Sequence, residues 1–172
     1  MSETEAIARS GRKPSTVVSL SADLGSLGVV PGSVVVVHSS LSSLGWVCGG
    51  AVALIEALRA AVADRGTVVM PTHTGDLSEP SRWENPPVPS DWWPLIRSTM
   101  PPYDPLVTPT RGMGVIAETF RSLPDVARSS HPTSSFAALG PQASEILAEQ
   151  ALHDAGDAAL LAKRHRVAGF CQ

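Results

Sequence analysis

His38-Ser39-Ser40-Leu41-Ser42-Ser43 gathers one imidazole and four hydroxyls into six residues, and Gly49-Gly50 follows at the start of an apolar-periodic run. Hydroxyls and backbone N–H groups beside a helix N-terminus suit an anion, because the first helical turn presents unpaired donors and the positive end of the dipole. The chemistry this spacing points to is the holding of a phosphate-bearing cofactor. It is not a Walker A loop, since no Gly-Lys-Ser/Thr closes it, and Gly-x-Gly-x-x-Gly is missing, so nucleoside triphosphate and dinucleotide readings lose support. A serine-rich turn is also ordinary turn chemistry, because Ser hydroxyls bond their own neighbouring backbone. Both readings stay open at this point.

Pro71-Thr72-His73-Thr74 forms a second polar set. His38 could act as a base, a ligand or a donor, although a His at a strand end is more often a hydrogen-bonded structural residue. The same holds for His131, in Arg128-Ser129-Ser130-His131-Pro132, while His73, His153 and His165 have no local context that lifts them above surface residues. No His/Cys/Asp set has ligand spacing, so no metal is expected, and the absence of Gly-x-Ser-x-Gly disfavours a serine hydrolase. Cys48 and Cys171 are too few and too far apart for a disulfide framework.

The elements that must position these groups follow from periodicity. Val34 to Val37, preceded by Pro31-Gly32, is a β-branched run that reads as a strand buried on both faces, the mark of a parallel sheet. Ala51 to Ala63 places Leu54, Ile55, Leu58, Ala61 and Val62 on one side of a glycine-started helix, Arg65-Gly66 breaks it, and Thr67 to Met70 makes a second strand ended by Pro71. Strand, helix, strand is a βαβ unit with a right-handed crossover, so both strand exits lie on one edge, where ligands bind in open α/β sheets. Upstream, Thr16 to Leu27 is a helix that Ser15 could cap, ended by Gly28; downstream, Gly112 to Ser122 is a helix, Ser135 to Leu139 a third strand, and Pro141 to Glu149 a helix with Pro in its first turn. The fold class is therefore α/β, a mostly parallel sheet with flanking helices.

From Thr72 to Thr110 the pattern gives way to a Pro-, Trp- and acid-rich insertion with one helical candidate at Asp91 to Arg97. Between Asp76 and Asp91 it carries Asp76, Glu79, Glu84 and Asp91 against only Arg82, with Trp83, Trp92 and Trp93 close by. Such a rim could orient a polycation, with cation–π contacts from the tryptophans; a solvated loop anchored by those tryptophans is the other reading.

A chain of 172 residues, 43% hydrophobic and 17% charged, supports one domain with a real core and excludes disorder of the whole. Gly 14 and Pro 15 set no period, which excludes a fibrous protein. A net charge of -3 without a long Lys/Arg run excludes the footprint of a general nucleic-acid binder, and small cationic partners fit better. Met-Ser-Glu-Thr-Glu lacks the character of a signal peptide and no apolar run approaches bilayer length, so a soluble cytoplasmic protein without a membrane partner is expected. Residues 1–15 are expected as a flexible N-terminus, 16–150 as the N-terminal part of the domain, and 151–172 as a divergent tail. In that tail Ala155 to Ala162 is mostly small, Lys163-Arg164-His165-Arg166 concentrates charge, and Val167 to Phe170 has only begun a strand before the chain stops. Three strands are few for a parallel sheet, so the domain is expected to be incomplete.

Val35-Val36-Val37-His38-Ser39-Ser40-Leu41-Ser42-Ser43-Leu44-Gly45-Trp46 with Gly49-Gly50-Ala51, then Gly66-Thr67-Val68-Val69-Met70-Pro71, Thr108-Pro109-Thr110-Arg111-Gly112-Met113-Gly114, and Arg128 to Phe136, together resemble the antibiotic N-acetyltransferase family, the aminoglycoside 3-N-acetyltransferases. The likeness runs from about Thr16 to Gln150 and implies that family's α/β sandwich. It implies direct acetyl transfer from acetyl-coenzyme A to an amine of a deoxystreptamine antibiotic within a ternary complex. By resemblance His38, Ser39, Ser40, Leu41, Ser42, Ser43, Gly49 and Gly50 would cradle the pantetheine and phosphates, and Thr110, Gly112, Met113 and Gly114 would line the same channel, with His131 and Ser135 nearby. Asp76, Glu79, Trp83, Glu84 and Asp91 would face the cationic sugar. Relatives continue through a Gly-rich strand and a His-containing helix that supplies the base, and Ala158 to Lys163 replaces their usual segment, which suggests a truncated or frameshifted product; no catalytic base carries over onto any position. Two alternatives accompany this reading: a non-catalytic fragment that binds coenzyme A or pairs through an exposed sheet edge, and a coenzyme A-dependent acyltransferase acting on another small amine.

Overall fold

Four consecutive valines make strand β1 (Val34–Val37), because β-branched side chains fit a pleated surface covered on both sides. The computed structural model describes residues 3–11, 13–148 and 150, together with the backbone of 167–170. In chain order the elements are α1 (Glu3–Arg9), α2 (Val17–Ser26), β1, α3 (Gly50–Val62), β2 (Thr67–Pro71), α4 (Trp93–Thr99), α5 (Gly114–Arg121), β3 (Ala127–Arg128), β4 (Phe136–Leu139), α6 (Ala143–Ala148) and β5 (Val167–Phe170). Short 3-10 turns at Leu41–Leu44, Gly75–Leu77, Pro80–Arg82 and Ser90–Trp92 fill the loops.

The strand order is β3-β4-β2-β1-β5. β1 lies parallel to β2, with Val34 opposite Thr67 and Val36 opposite Val69, and parallel to β5. β4 runs antiparallel to β2, with Pro71 opposite Phe136, and β3 runs antiparallel to β4. The sheet is therefore mixed, which corrects the mostly parallel expectation. The chain leaves β2 at Pro71 and comes back into β4 at the residue facing it, so β4 must run the other way. Phe136, Ala137 and Ala138 are buried, giving β4 the same both-faces pattern as a parallel strand.

Helices cover both faces. On one side Val35, Val68, Met70 and Ala137 meet α2, α3 and α5 through Leu20, Leu54, Ile55, Leu58, Ile116 and Phe120. On the other, Val34, Val36, Val69, Phe136 and Ala138 meet Ala143 and Ile146 of α6. α3 is wedged deepest: Ala57 is 0% and Leu58 2% exposed. Its alanines let it approach the sheet while Leu58 fills the gap, so Leu58→Ala would cost about 2–5 kcal/mol.

Several boundaries differ from the sequence reading. Thr16, not Ser15, caps α2: its hydroxyl accepts from Ser19 N at 3.2 Å and Ser19 Oγ accepts from Thr16 N at 2.9 Å. Ser15 is instead extended, its N–H donating to Trp46 O and its carbonyl accepting from Cys48 N. The helix foreseen at Asp91 to Arg97 divides into a 3-10 turn and α4, α5 begins at Gly114 and α6 at Ala143. Helix α1 was not foreseen; none of its residues is buried, so no apolar stripe marks it. Glu149, His153, Lys163, Arg164, His165, Arg166 and Cys171 lie outside the described residues. No helix among the described residues is long and apolar enough to cross a membrane.

Candidate functional site

The exit of β1 turns at once into the Leu41–Leu44 3-10 turn, which seats Leu41 and Leu44 against the core and leaves Ser40, Ser42 and Ser43 exposed. Ser40 Oγ and Ser42 Oγ lie 2.9 Å apart. The chain then passes Gly45 at φ +73°, Gly49 at φ +90° and Gly50 at φ +58°, a left-handed path that glycine adopts without strain. Gly49 caps α3 and offers no side-chain acceptor, so no side chain covers the donors of that first turn.

A second wall comes from Gly112, Met113, Gly114 and Val115 at the start of α5. It is fastened at three points: Arg111 N donates to His73 O at 2.9 Å, the Arg111 guanidinium pairs with Asp76, and Thr110 N donates to Glu118 Oε2 at 2.8 Å. Between the walls lies an open cleft of about 740 Å³, within the usual range for small-molecule sites. A Cβ placed on Gly50 or Gly112 would meet nothing within 4 Å, and one on Gly114 would lie 4.0 Å from Ser39 O. The backbones thus present bare surface to the cleft, which suits a long, thin molecule carrying phosphates.

Of the residues expected to hold a cofactor, Ser39, Ser40, Leu41, Ser42, Gly49, Gly50, Gly112, Met113 and Gly114 line this one cleft. The others stand elsewhere. His38 is exposed just before the turn, Ser43 is exposed within it, and Thr110 is tied to Glu118. His131 and Ser135 are buried, 7% and 0% exposed. Sequence reasoning missed Glu3 and Ala6 of α1, which also line the cleft, along with Gly45, Trp46, Val47 and Val115. Gly45 and Trp46 were within reach, since they close the hydroxyl-rich segment; α1 had no signal. Trp46 Nε1 donates to Glu3 Oε1 at 3.2 Å, which holds α1 beside the cleft.

Three histidines approach one another at the strand ends. His73 packs edge-on against Phe136, ring centres 5.5 Å apart, and its Nε2 is buried without a partner. Burial, followed by the charges of His38 and His131, pushes its pKa below the ordinary value, so the ring is neutral near neutral pH. His131 Nδ1 accepts from Ser134 N at 2.9 Å and Thr133 N at 3.2 Å, which leaves the proton of the neutral ring on Nε2. Beside them Ser135 Oγ donates to Thr72 O at 2.8 Å. Among the described residues, no His/Cys/Asp/Glu group could hold a metal ion.

In the insertion, the acids expected to meet a cation do not line the cleft. Asp76 pairs with Arg111, and Glu79 takes the Arg97 guanidinium through Nη2 at 2.6 Å and Nε at 3.2 Å. That bond, with the Ser81 amide, holds the Glu79 pKa at about 2. Arg97 also lies 5.9 Å over the Trp93 ring, and Trp83 Nε1 donates to Ser78 Oγ at 2.9 Å. Glu84 and Asp91 are exposed and form no ion pair among the described residues.

The profile of the aminoglycoside 3-N-acetyltransferase family matches residues 36–170. The SPbeta prophage-derived aminoglycoside N(3')-acetyltransferase-like protein YokD of Bacillus subtilis (strain 168) is 52% identical over 140 residues, covering 81% of this chain and 52% of its own length. The YokD crystal structure superposes with a TM-score of 0.78 at 53% identity, over 81% of this chain and 56% of that one. AAC-IIIb, solved as a binary complex with CoASH, gives a TM-score of 0.69 at 33% identity, over 81% of this chain and 51% of that one. AAC-VIa bound to sisomicin gives 0.68 at 30%, with the same coverage, 81% and 51%. The chain spans about half the length of the relatives it matches. With a match that takes in most of its residues, this chain belongs to the aminoglycoside 3-N-acetyltransferase family.

Proposed function

We propose that this chain binds acetyl-coenzyme A in the cleft between the β1 exit and the start of α5, and that it serves transfer of the acetyl group to the 3-amino group of an aminoglycoside in the cytoplasm. One observation carries the reading: two stretches far apart in sequence, Ser39 to Gly50 and Gly112 to Gly114, form facing walls of the same hydroxyl- and glycine-lined cleft. The CoASH carried by AAC-IIIb and the sisomicin carried by AAC-VIa support the two substrates.

Bound acetyl-coenzyme A would supply an acetyl group activated as a thioester. The work of this chain is binding and orientation. Ser39, Ser40 and Ser42 offer hydroxyl donors, and the first turn of α3 offers backbone N–H groups and its dipole to phosphate. Gly112 and Gly114 let the backbone approach the thin arm from the other side. An ammonium must lose its proton before it can attack, and the serines and glycines of the cleft cannot take that proton. Glu84 and Asp91, which form no ion pair among the described residues, offer carboxylates for a cationic amine, where complementarity raises encounter rate and selectivity.

Calorimetry with coenzyme A tests binding: the wild-type chain is expected to bind, and the double variant Ser39→Ala, Ser40→Ala to bind more weakly. Unchanged affinity in that variant would remove the turn from the site. A thiol-release assay with acetyl-coenzyme A and an aminoglycoside panel tests transfer. Binding without thiol release at high protein concentration would leave only a coenzyme A-binding role, and release with unrelated amines alone would assign a different acceptor.

A further inference from the structure

Arg128 is a half-buried cation to which the acyl-transfer reading gives no task. Its guanidinium reaches three separate segments. At the β2 exit, Thr72 O accepts from Nη2 at 2.6 Å and Thr72 Oγ1 from Nε at 3.1 Å. At the head of β4, Ser135 Oγ accepts from Nε at 3.1 Å. On the loop that ends the insertion, Thr108 O and Pro105 O accept from Nη1 at 2.5 and 3.4 Å. The guanidinium carbon lies over the Tyr103 ring, 5.2 Å from its centre, and Tyr103 Oη donates to Ser129 O at 2.8 Å.

No carboxylate pairs with Arg128 among the described residues, so its charge is answered by carbonyl and hydroxyl oxygens. Burial lowers its pKa from the ordinary value, yet a guanidinium stays charged in a protein. Desolvating a cation without a counter-ion is unfavourable, and it persists where a rigid fork of donors is needed to hold several acceptors at fixed angles.

What the fork holds is the loop from Tyr103 to Thr110. That loop exposes Leu106 and Val107, 81% and 71%, and so has no core of its own to fix it. Within itself it is closed by Thr108 N donating to Asp104 O at 2.9 Å and Leu106 N donating to Asp104 Oδ1 at 2.8 Å. Arg121 adds one more tie, Nη1 to Leu106 O at 3.0 Å. The loop runs directly into Gly112-Met113-Gly114, the second wall of the cleft.

We propose that Arg128 is the positioning residue for that wall: by tying Pro105 and Thr108 to Thr72 and Ser135, it sets where Gly112 to Gly114 stand and hence the width of the coenzyme A cleft. This rests on the coenzyme A reading. A lysine keeps the charge but presents one nitrogen where the arginine uses three, so it does not replace Arg128.

The full chain is compared as wild type, Arg128→Met, Arg128→Lys and Tyr103→Leu, with coenzyme A affinity by calorimetry, amide exchange across residues 104–114, and thermal melting. Both Arg128 variants are expected to weaken coenzyme A roughly tenfold and to speed exchange in 104–114 while the amides of β1 and α3 stay protected. Tyr103→Leu, which removes the ring contact with Arg128 and the bond to Ser129 O but none of the oxygens that accept from Arg128, is expected to act in the same direction with a smaller size. If Arg128→Met fails to melt cooperatively, Tyr103→Leu decides. Wild-type affinity in a folded Arg128 or Tyr103 variant overturns the proposal, whether or not the loop exchanges faster. Absence of binding by the wild-type chain overturns it too, and identifies the coenzyme A reading as the part that failed.

Discussion

Thr110 N donates to Glu118 Oε2 at 2.8 Å, so the segment carrying Gly112 is fastened to the same helix it is about to enter. Glu118 is held in turn by Arg121, whose Nε donates to the same oxygen at 3.0 Å. One carboxylate oxygen thus joins a loop to a helix, and the join is charged.

The Arg121 bond first, and the Thr110 amide after it, hold the Glu118 pKa at about 2, below the ordinary 4.5. A depressed carboxylate stabilises the fold above its unfolded value and loses that contribution as pH falls from about 4.5 to about 2. The Glu118 side chain is 37% exposed, so water screens much of the effect and Glu118→Gln should cost about 1 kcal/mol at pH 7. Urea midpoints of wild type and variant should draw together as pH falls below about 4.5 and meet only at about pH 2 or lower; a gap that persists there would assign the loss to packing.

Gly50→Ala and Gly112→Ala put a methyl where nothing stands within 4 Å, at φ +58° and +71°. Each should lower stability by about 1–2 kcal/mol through left-handed strain and weaken coenzyme A roughly tenfold by filling the cleft. Urea denaturation and calorimetry on the same samples separate the two effects. A stability loss with wild-type affinity would move the ligand away from these glycines.

Gly140→Ala behaves differently. Its Cβ would sit 2.8 Å from Thr67 Cα at φ +128°, against the head of β2. Backbone must move, so the loss should exceed about 3 kcal/mol, read as a lowered urea midpoint with unchanged slope.

Glu84→Gln with Asp91→Asn removes two insertion carboxylates that form no ion pair among the described residues. The double variant should raise the aminoglycoside KM several-fold, more at low salt than at high, and leave the coenzyme A affinity unchanged. An unaltered KM at low salt would show that these acids do not meet the substrate.

The βαβ frame was readable because each of its parts is marked locally: Val34 to Val37 by branching, α3 by Gly49-Gly50 and its apolar side, β2 by Pro71 at its end. The direction of β4 was not readable, since Phe136-Ala137-Ala138 is covered on both faces and burial pattern is then silent about orientation. Half of the cleft lay in one readable segment, Ser39 to Gly50; its closure by Gly112 to Gly114 came from family likeness, as no local pattern relates positions so distant. Arg128 and His73 were passed over for the same reason. Their partners, Thr72, Ser135 and Thr108 for the one and Phe136 for the other, are neighbours only after the sheet has formed. Thr16 took the cap from Ser15 because a bridge to Val47 had already claimed Ser15.

Trp46 stands in the wall of the cleft, while Trp83, Trp92 and Trp93 stand in the insertion. Indole emission shifts with the polarity of its surroundings, so the protein carries its own fluorophore on each side of the reaction it is assigned. Quenching that disappears in Trp46→Phe would report the acyl donor, and quenching that survives it would report the acceptor, allowing the order of their arrival to be followed without any label.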